Sequence, residues 1–341
     1  MRLDLPMLVN LDLATVWAFI IAFAVFMYVV MDGFDLGIGI LFPCFRRGAE
    51  RSQAMNAIAP VWDGNETWLV LGGGGLFAAF PLAYSIVLPA TYPLIIAMLL
   101  GLVFRGVAFE FRWRDPRHER FWDFAFFAGS LAAALAQGMI LGALLQGIHV
   151  HGRAYARAWL DWLSPYSLLT GAGVVAGYAL LGSTFLAIKA SGAVETRAFR
   201  LARLAAIATL GLMIAVSLAT PYLFSQYWDR WFRLPNLLFA SQVPLLSAIA
   251  FYALFTTLAK RRSYWPFIIA LGVFALGMAG LGISIWPFVV PDRITIWQAA
   301  APERSQVFML VGVAIIMPVI LAYTALAYWI FRGKVAEEGY H

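Results

Sequence analysis

The chain has 341 residues, of which 62% are hydrophobic and only 12% charged, with a formal net charge of +6. Soluble globular chains carry roughly 25% charged residues, so too few charges are present here to cover a water-facing surface. High apolar content, aperiodic glycines and a single cysteine also exclude a disordered, collagenous or disulfide-stapled chain, leaving an all-α integral membrane protein.

A helix needs roughly 20 apolar residues to cross a hydrocarbon core about 30 Å thick. Long uncharged runs occupy residues 13–31, 67–104, 124–148, 162–188, 204–228, 234–259, 263–291 and 305–331. As one helix the second run would be about 57 Å long, nearly twice the core. Pro81 and Pro89 supply a break, because each removes a backbone donor and clashes with the preceding turn. Nine transmembrane helices are therefore expected in one polytopic domain covering 1–341, near 14–42, 66–86, 88–111, 121–148, 163–189, 203–227, 236–259, 264–288 and 305–331.

The acidic Asp4 and Asp12 precede the first span, so no basic leader with a short apolar core is read there and the first helix is expected to direct insertion. At the far end of that span lie Asp32 and Asp35, spaced i, i+3 and therefore on nearly one helix face. Pairing with Arg46 or Arg47 would make them a polar helix end. Asp63 and Glu66 precede the second span on the same boundary, where they could cap it. The third span returns Arg105 and Glu110 to that boundary, and a structural ion-pair role is expected for these two. Three segments thus deliver five carboxylates and one guanidinium to one leaflet. Ionisable groups at membrane depth face a protein interior or a water path, and crowding of like charge favours proton uptake. Asp32, Asp35 and Glu66 are read as a proton-uptake group, and capping and proton relay are compatible at Asp63.

The remaining motifs carry less chemistry. Gly72-Gly73-Gly74-Gly75 lacks the Lys-Ser/Thr of a phosphate loop and suits close helix packing. His118, His149, His151 and His341 all fall outside the long apolar runs, and Cys44 stands alone. No metal site and no cofactor held by this chain are expected. With nine helices, one side collects sixteen Lys and Arg and the other seven, with Arg105 inside a span. The N-terminus is therefore expected outside and the C-terminus in the cytoplasm, and the net charge calls for no nucleic acid partner. Trp159, Trp162, Tyr227, Trp228 and Trp231 on the outer side, and Trp113, Trp122, Tyr264 and Trp265 on the inner, are expected to anchor the lipid interfaces.

Asp32-Gly33-Phe34-Asp35-Leu36-Gly37, Ala59-Pro60-Val61-Trp62-Asp63-Gly64-Asn65-Glu66-Thr67-Trp68, Leu76-Phe77-Ala78-Ala79-Phe80-Pro81 and Phe104-Arg105-Gly106-Val107-Ala108-Phe109-Glu110 together resemble subunit II of cytochrome bd-type ubiquinol oxidases. Leu144-Leu145-Gln146-Gly147 and Trp286-Pro287-Phe288-Val289 agree more loosely, and the short link between helices 6 and 7 resembles the compact, cyanide-insensitive branch. The resemblance implies a haem-free subunit of a respiratory terminal oxidase in a bacterial inner membrane, with a periplasmic N-terminus. Its partner would be subunit I, which carries haems b and d, oxidises quinol and reduces oxygen; small single-helix subunits and lipid are further neighbours. It also implies two four-helix bundles plus a peripheral helix, and a cytoplasmic proton route through the aspartate of the Trp-Asp-Gly-Asn segment, here Asp63. Two rivals remain at this point: an ion-coupled secondary transporter, whose site should lie near the midplane, and a purely structural scaffold.

Overall fold

A computed structural model describes residues 12–156 and 159–335; Arg2, Asp4, Arg157 and His341, used in the sequence reading, lie outside the described residues. Asp12 caps the first helix, its carboxylate accepting from the Thr15 backbone N–H at 2.7 Å, and the apolar run that follows forms α1 (Leu13–Leu41). A short α2 (Ala49–Asn56) lies in the following loop, and α3 (Trp62–Ala79) leads to α4 (Pro81–Arg114) and α5 (Glu119–Leu145). A hairpin of β1 (Val150–His151) and β2 (Ala154–Tyr155) carries His151 and precedes α6 (Pro165–Lys189) and α7 (Gly192–Ala219). Then come α8 (Ser225–Phe232), α9 (Asn236–Ala240), α10 (Gln242–Ala259) and α11 (Trp265–Ile285). The hairpin β3 (Phe288–Val290) and β4 (Ile294–Thr295), the single turn α12 (Ile296–Ala299) and the long α13 (Glu303–Ile330) complete the chain.

Among the described residues, eight helical stretches are long and apolar enough to cross a membrane. The expected second span corresponds to α3, which is diluted by Asp63, Glu66 and the four glycines and is not one of the eight. The break between the second and third spans falls at Phe80, not at residues 86–88. Pro81 begins α4, where its missing N–H breaks no helical bond, while Pro89 and Pro93 lie inside that helix. The Ala79 carbonyl at the end of α3 accepts from the Ala301 N–H at 2.8 Å, so the connection into α13 satisfies the group left over by the break. The seventh helix of the structure also starts at Gly192, well before the expected 203. Its polar first turns are held by ion pairs from Arg197 to Glu50 (2.7 Å) and from Lys334 to Glu195 (2.8 Å).

The centre of the fold is α1, which packs on α3, α5 and α6 and touches α11 and α13. Chain neighbours α4–α5, α5–α6, α6–α7 and α10–α11 pack on one another, and α13 lies at the periphery against α1 and α3. Glycines permit two close backbone crossings. A Cβ on Gly182 of α6 would sit 2.5 Å from the Gly37 carbonyl carbon of α1, and one on Gly129 of α5 would meet the Gly101 carbonyl oxygen of α4 at 2.5 Å. In the glycine quartet, Gly72 and Gly75 face Val25 and Ile21 of α1, whereas Gly73 and Gly74 have no neighbour at the Cβ position. Phe34 fills the other side of α1 from the acids, stacked on Phe185 at 4.1 Å and edge-on to Phe267 and Tyr328.

Gly182→Val is expected to destabilise the protein by about 1–3 kcal/mol or more, because backbone rather than a flexible side chain is in the way. Gly211→Ala on α7, where nothing lies near, is expected to be neutral or slightly stabilising. Thermal unfolding in detergent distinguishes the two.

Candidate functional site

Three helices build the site. Asp32 and Asp35, one turn apart on α1, are both fully buried, as is Arg105 of α4. The Gly101–Gly129 crossing lies one turn from Arg105 and brings α5 against its backbone, sealing that side. On the opposite side the Trp62 ring, stacked on Phe109 with centroids 4.9 Å apart, lies 5.4 Å from the guanidinium carbon. Gly106 lies beside that indole, where a Cβ would make ordinary contact at 3.4 Å.

Arg105 pairs with Asp32 through Nη2, and its Nη1 lies 3.5 Å from Oε2 of Glu66 on the first turns of α3. Asn65, beside Glu66, donates to Asp35 Oδ2 at 2.7 Å and accepts from the Tyr328 hydroxyl of α13 at 2.8 Å. Asp32 Oδ2, Asp35 Oδ1 and Arg105 Nε have no protein partner. Three carboxylates thus surround one guanidinium, a formal excess of negative charge in a region of low dielectric. Binding a proton relieves that excess. Glu66 is the member open to solvent, with 29% of its side chain exposed, and it interacts electrostatically with Arg105, Asp32 and Asp63. Asp63 is exposed on the first turn of α3 and forms no side-chain cap.

Several expectations change. Arg105 and Glu110 do not pair with each other: five residues along a helix place them about 140° apart. Glu110 instead lies 3.4 Å from Arg114 on the outer surface, while Arg105 turns inward to α1 and α3. Asp32 and Asp35 find Arg105 and Asn65 rather than Arg46 or Arg47. Burial moves these two aspartates from the water-facing end of the expected uptake group to its interior, and leaves Asp63 and Glu66 outermost.

Two groups escaped the sequence reading. Tyr28, four residues before Asp32 and on the same face of α1, begins a row with Gln137 of α5 and Tyr178 of α6; a single amide in an apolar run was the available signal. The second lies where α2 meets the ends of α4 and α5. There Asp123 accepts from Arg51 at 2.6 Å and from Arg112 at 2.7 Å, and Arg112 also reaches Glu119 at 2.6 Å and Ser52 at 3.0 Å. Both guanidiniums lie over Phe42, at 5.4 and 5.8 Å. Two cations meet two carboxylates in this group. Its charges balance, which suits a clamp joining α2, α4 and α5 rather than a proton-binding site.

Among the described residues no group of three or more His, Cys, Asp or Glu could hold a metal ion. His118 lies in the α4–α5 loop, 2.8 Å from Asp115, and Cys44 is exposed.

A family model described as cytochrome bd terminal oxidase subunit II matches residues 13–331. The chain is 28% identical to cytochrome bd-I ubiquinol oxidase subunit 2 of Escherichia coli K12, with 95% of each protein covered. It is 26% identical to cytochrome bd ubiquinol oxidase subunit 2 of Bacillus subtilis 168, covering 96% of this chain and 98% of that one. A chain of the bd oxidase structure from Geobacillus thermodenitrificans shares the fold, with a TM-score of 0.74 and 20% identity over 93% of this chain and 98% of that one.

Asp123→Ala leaves the buried Arg112 and the partly buried Arg51 short of their counter-ion, and a loss of about 3–5 kcal/mol is expected. Glu119→Gln, at a carboxylate 40% exposed, is expected to change stability by about 1 kcal/mol or less. Unfolding midpoints of the two variants in detergent provide the comparison.

Proposed function

The chain belongs to the cytochrome bd terminal oxidase subunit II family, a multi-pass component of an oxidoreductase complex, and from that premise we propose that it is the haem-free subunit that stabilises a haem-bearing subunit I and supplies it with protons from the cytoplasm. The complex would oxidise a quinol, ubiquinol in the relatives' names, and reduce oxygen. Haems b and d would reside in subunit I.

The observation that carries the proton reading is the charge imbalance around Arg105, closed on the α1 and α5 sides and open at Glu66. A proton arriving on Glu66 neutralises one of the three carboxylates facing the guanidinium. Its departure restores the starting charge, so the group can load and unload repeatedly without a large rearrangement. Asp63 lies on the solvent side of Glu66 and is the relay of this route, with Asp32 and Asp35 forming its interior. Charges gathered at one end of the helices also fit this reading better than a transporter's midplane site.

A docking face for subunit I follows from α3. Asp63, Thr67, Val70, Gly74 and Phe77 recur at helical spacing and are all exposed. Glycine in such a stripe lets a partner helix approach closely, and this would place Asp63 at the edge of the junction, where a proton could pass between subunits. The neighbouring α13, which packs against α3, also carries an exposed apolar residue, Phe308. We take α3 as the short ninth span. With it, α1, α3, α4 and α5 form one four-helix bundle, α6, α7, α10 and α11 the other, and α13 the peripheral helix. The basic loops put the N-terminus in the periplasm and the C-terminus in the cytoplasm of a bacterial inner membrane.

In the purified complex, Asp63→Asn and Glu66→Gln are each expected to lower quinol-driven oxygen uptake about 100-fold or more, the scale of a lost proton-transfer group, with haem content unchanged. Asp63→Glu should retain most of the activity. Full oxygen uptake by both neutral variants at normal haem content would favour a purely structural subunit.

A further inference from the structure

A cleft of about 460 Å³ opens between α1 and α5 on one side and α6 and α7 on the other. Every residue lining it is Leu, Val or Ala, so no side chain in it offers a polar partner. Leu41, Ala179 and Ala205 form a buried floor, and Leu204 stands at the rim with 60% of its surface exposed. The cleft therefore opens outward from the helices, away from the interior acids. The proposed docking face for subunit I, on α3, lines none of it.

One end of this cleft is strongly basic. Leu41 of the floor leads within a few residues to the exposed Arg46 and Arg47. Arg197 of α7 donates to the Cys44 carbonyl at 2.9 Å and to Glu50 at 2.7 Å, which fixes the start of α7 beside that turn. Arg200 is exposed, about one turn after Arg197 and one turn before Leu204 of the rim. Glu50 also accepts from the Arg46 backbone N–H at 2.9 Å, and the neighbouring acid Glu195 is paired with Lys334. Among the described residues the side chains of Arg46, Arg47 and Arg200 form no ion pair, so the mouth of the cleft keeps an excess of positive charge. Ala208, at the far end of the cleft on α7, lies about 16 Å along the helix axis from Arg197, roughly half the thickness of the hydrocarbon core. The cleft thus has the depth of one leaflet, apolar at its inner end and cationic at its mouth.

We propose that this cleft binds an anionic glycerophospholipid, with one acyl chain between α5, α6 and α7 and the phosphate on Arg47 and Arg200. Guanidinium groups recognise a phosphate through charge-assisted, commonly bidentate hydrogen bonds. Basic pockets between membrane helices select anionic headgroups for the same reason. A zwitterionic lipid or a prenylated quinone could fill the apolar part equally well, but either would leave the arginines without a net counter-charge. The bound chain fills the seam between the α1–α5 and α6–α7 sides, which the protein's own side chains leave open.

The test places the purified complex in phosphatidylcholine nanodiscs containing a trace of either phosphatidylglycerol or phosphatidylcholine that carries a photo-reactive group midway along one acyl chain. Cross-linked residues are then mapped by mass spectrometry. Phosphatidylglycerol should label the cleft, at Leu135, Ala176 or Ala208, well above the level reached by phosphatidylcholine. Arg47→Gln and Arg200→Gln should each lower that labelling roughly 5-fold, the weight of one basic residue at an anionic lipid surface. Lys260→Gln and Arg262→Gln, exposed in the α10–α11 loop, should leave it unchanged. Ala208→Phe, which fills the cleft from an exposed position, should remove the cleft labelling by either lipid. Equal labelling by the two lipids, or the same loss in the α10–α11 loop variants, would overturn the inference in favour of an unselective lipid annulus. Labelling that survives Ala208→Phe, or a cleft left unlabelled because a co-purified quinone fills it, would overturn it as well. None of these readouts depends on proton transfer, so the proton route stands or falls separately.

Discussion

A guanidinium with no exposed surface, deep among membrane-spanning helices, constrains everything around it. Arg105 cannot be left without counter-charge, because an uncompensated ion at that depth costs several kcal/mol. The fold answers with more negative charge than neutrality requires. Asp32 pairs directly, Glu66 lies at the edge of salt-bridge distance, and Asp35 is held one turn away by Asn65. The glycines at 37, 101, 129 and 182 matter for the same reason: they bring α1 against α6 and α4 against α5 closely enough to keep bulk water from the inner acids. Packing and electrostatics are therefore one design, in which helix crossings define a site that one proton more or less can satisfy.

The two ionic groups in this chain illustrate how charge balance separates roles. Around Asp123, two arginines and two carboxylates saturate one another over the Phe42 ring, and removal of any member leaves a deficit. Around Arg105 the balance is absent, and polar atoms on Asp32, Asp35 and Arg105 itself lack protein partners. A group of the first kind holds elements together. One of the second kind carries an excess charge that a proton would offset, which is the basis of the role proposed for Glu66.

Much of this was legible in the sequence. Composition and run length sufficed for a polytopic helical protein, and i, i+3 spacing correctly placed Asp32 and Asp35 on one face, since that relation is local to a helix. What depended on contacts between helices was not legible. Glu110 and Arg105 share a helix and a motif but point to different faces, so their proximity along the chain misled. The position of the break between α3 and α4 could not be chosen among Pro81, Pro89 and Pro93, because a proline at a helix start and one tolerated inside a membrane helix look alike in sequence. Exposure was also invisible: nothing local distinguishes the buried Asp35 from the exposed Asp63. Tyr28 and Gln137 come from distant runs and acquire meaning only once α5 lies beside α1.

The central claim is that protons consumed in oxygen reduction pass through the acids around Arg105. Its most direct test is time-resolved proton uptake, followed with a pH-indicating dye, when the fully reduced complex in liposomes is exposed to oxygen. A Glu66→Gln complex with normal haem content should take up protons from the cytoplasmic side markedly more slowly than the wild type, while oxygen binding proceeds at the normal rate. Uptake at the wild-type rate would contradict the account and require another path to the oxygen-reducing site.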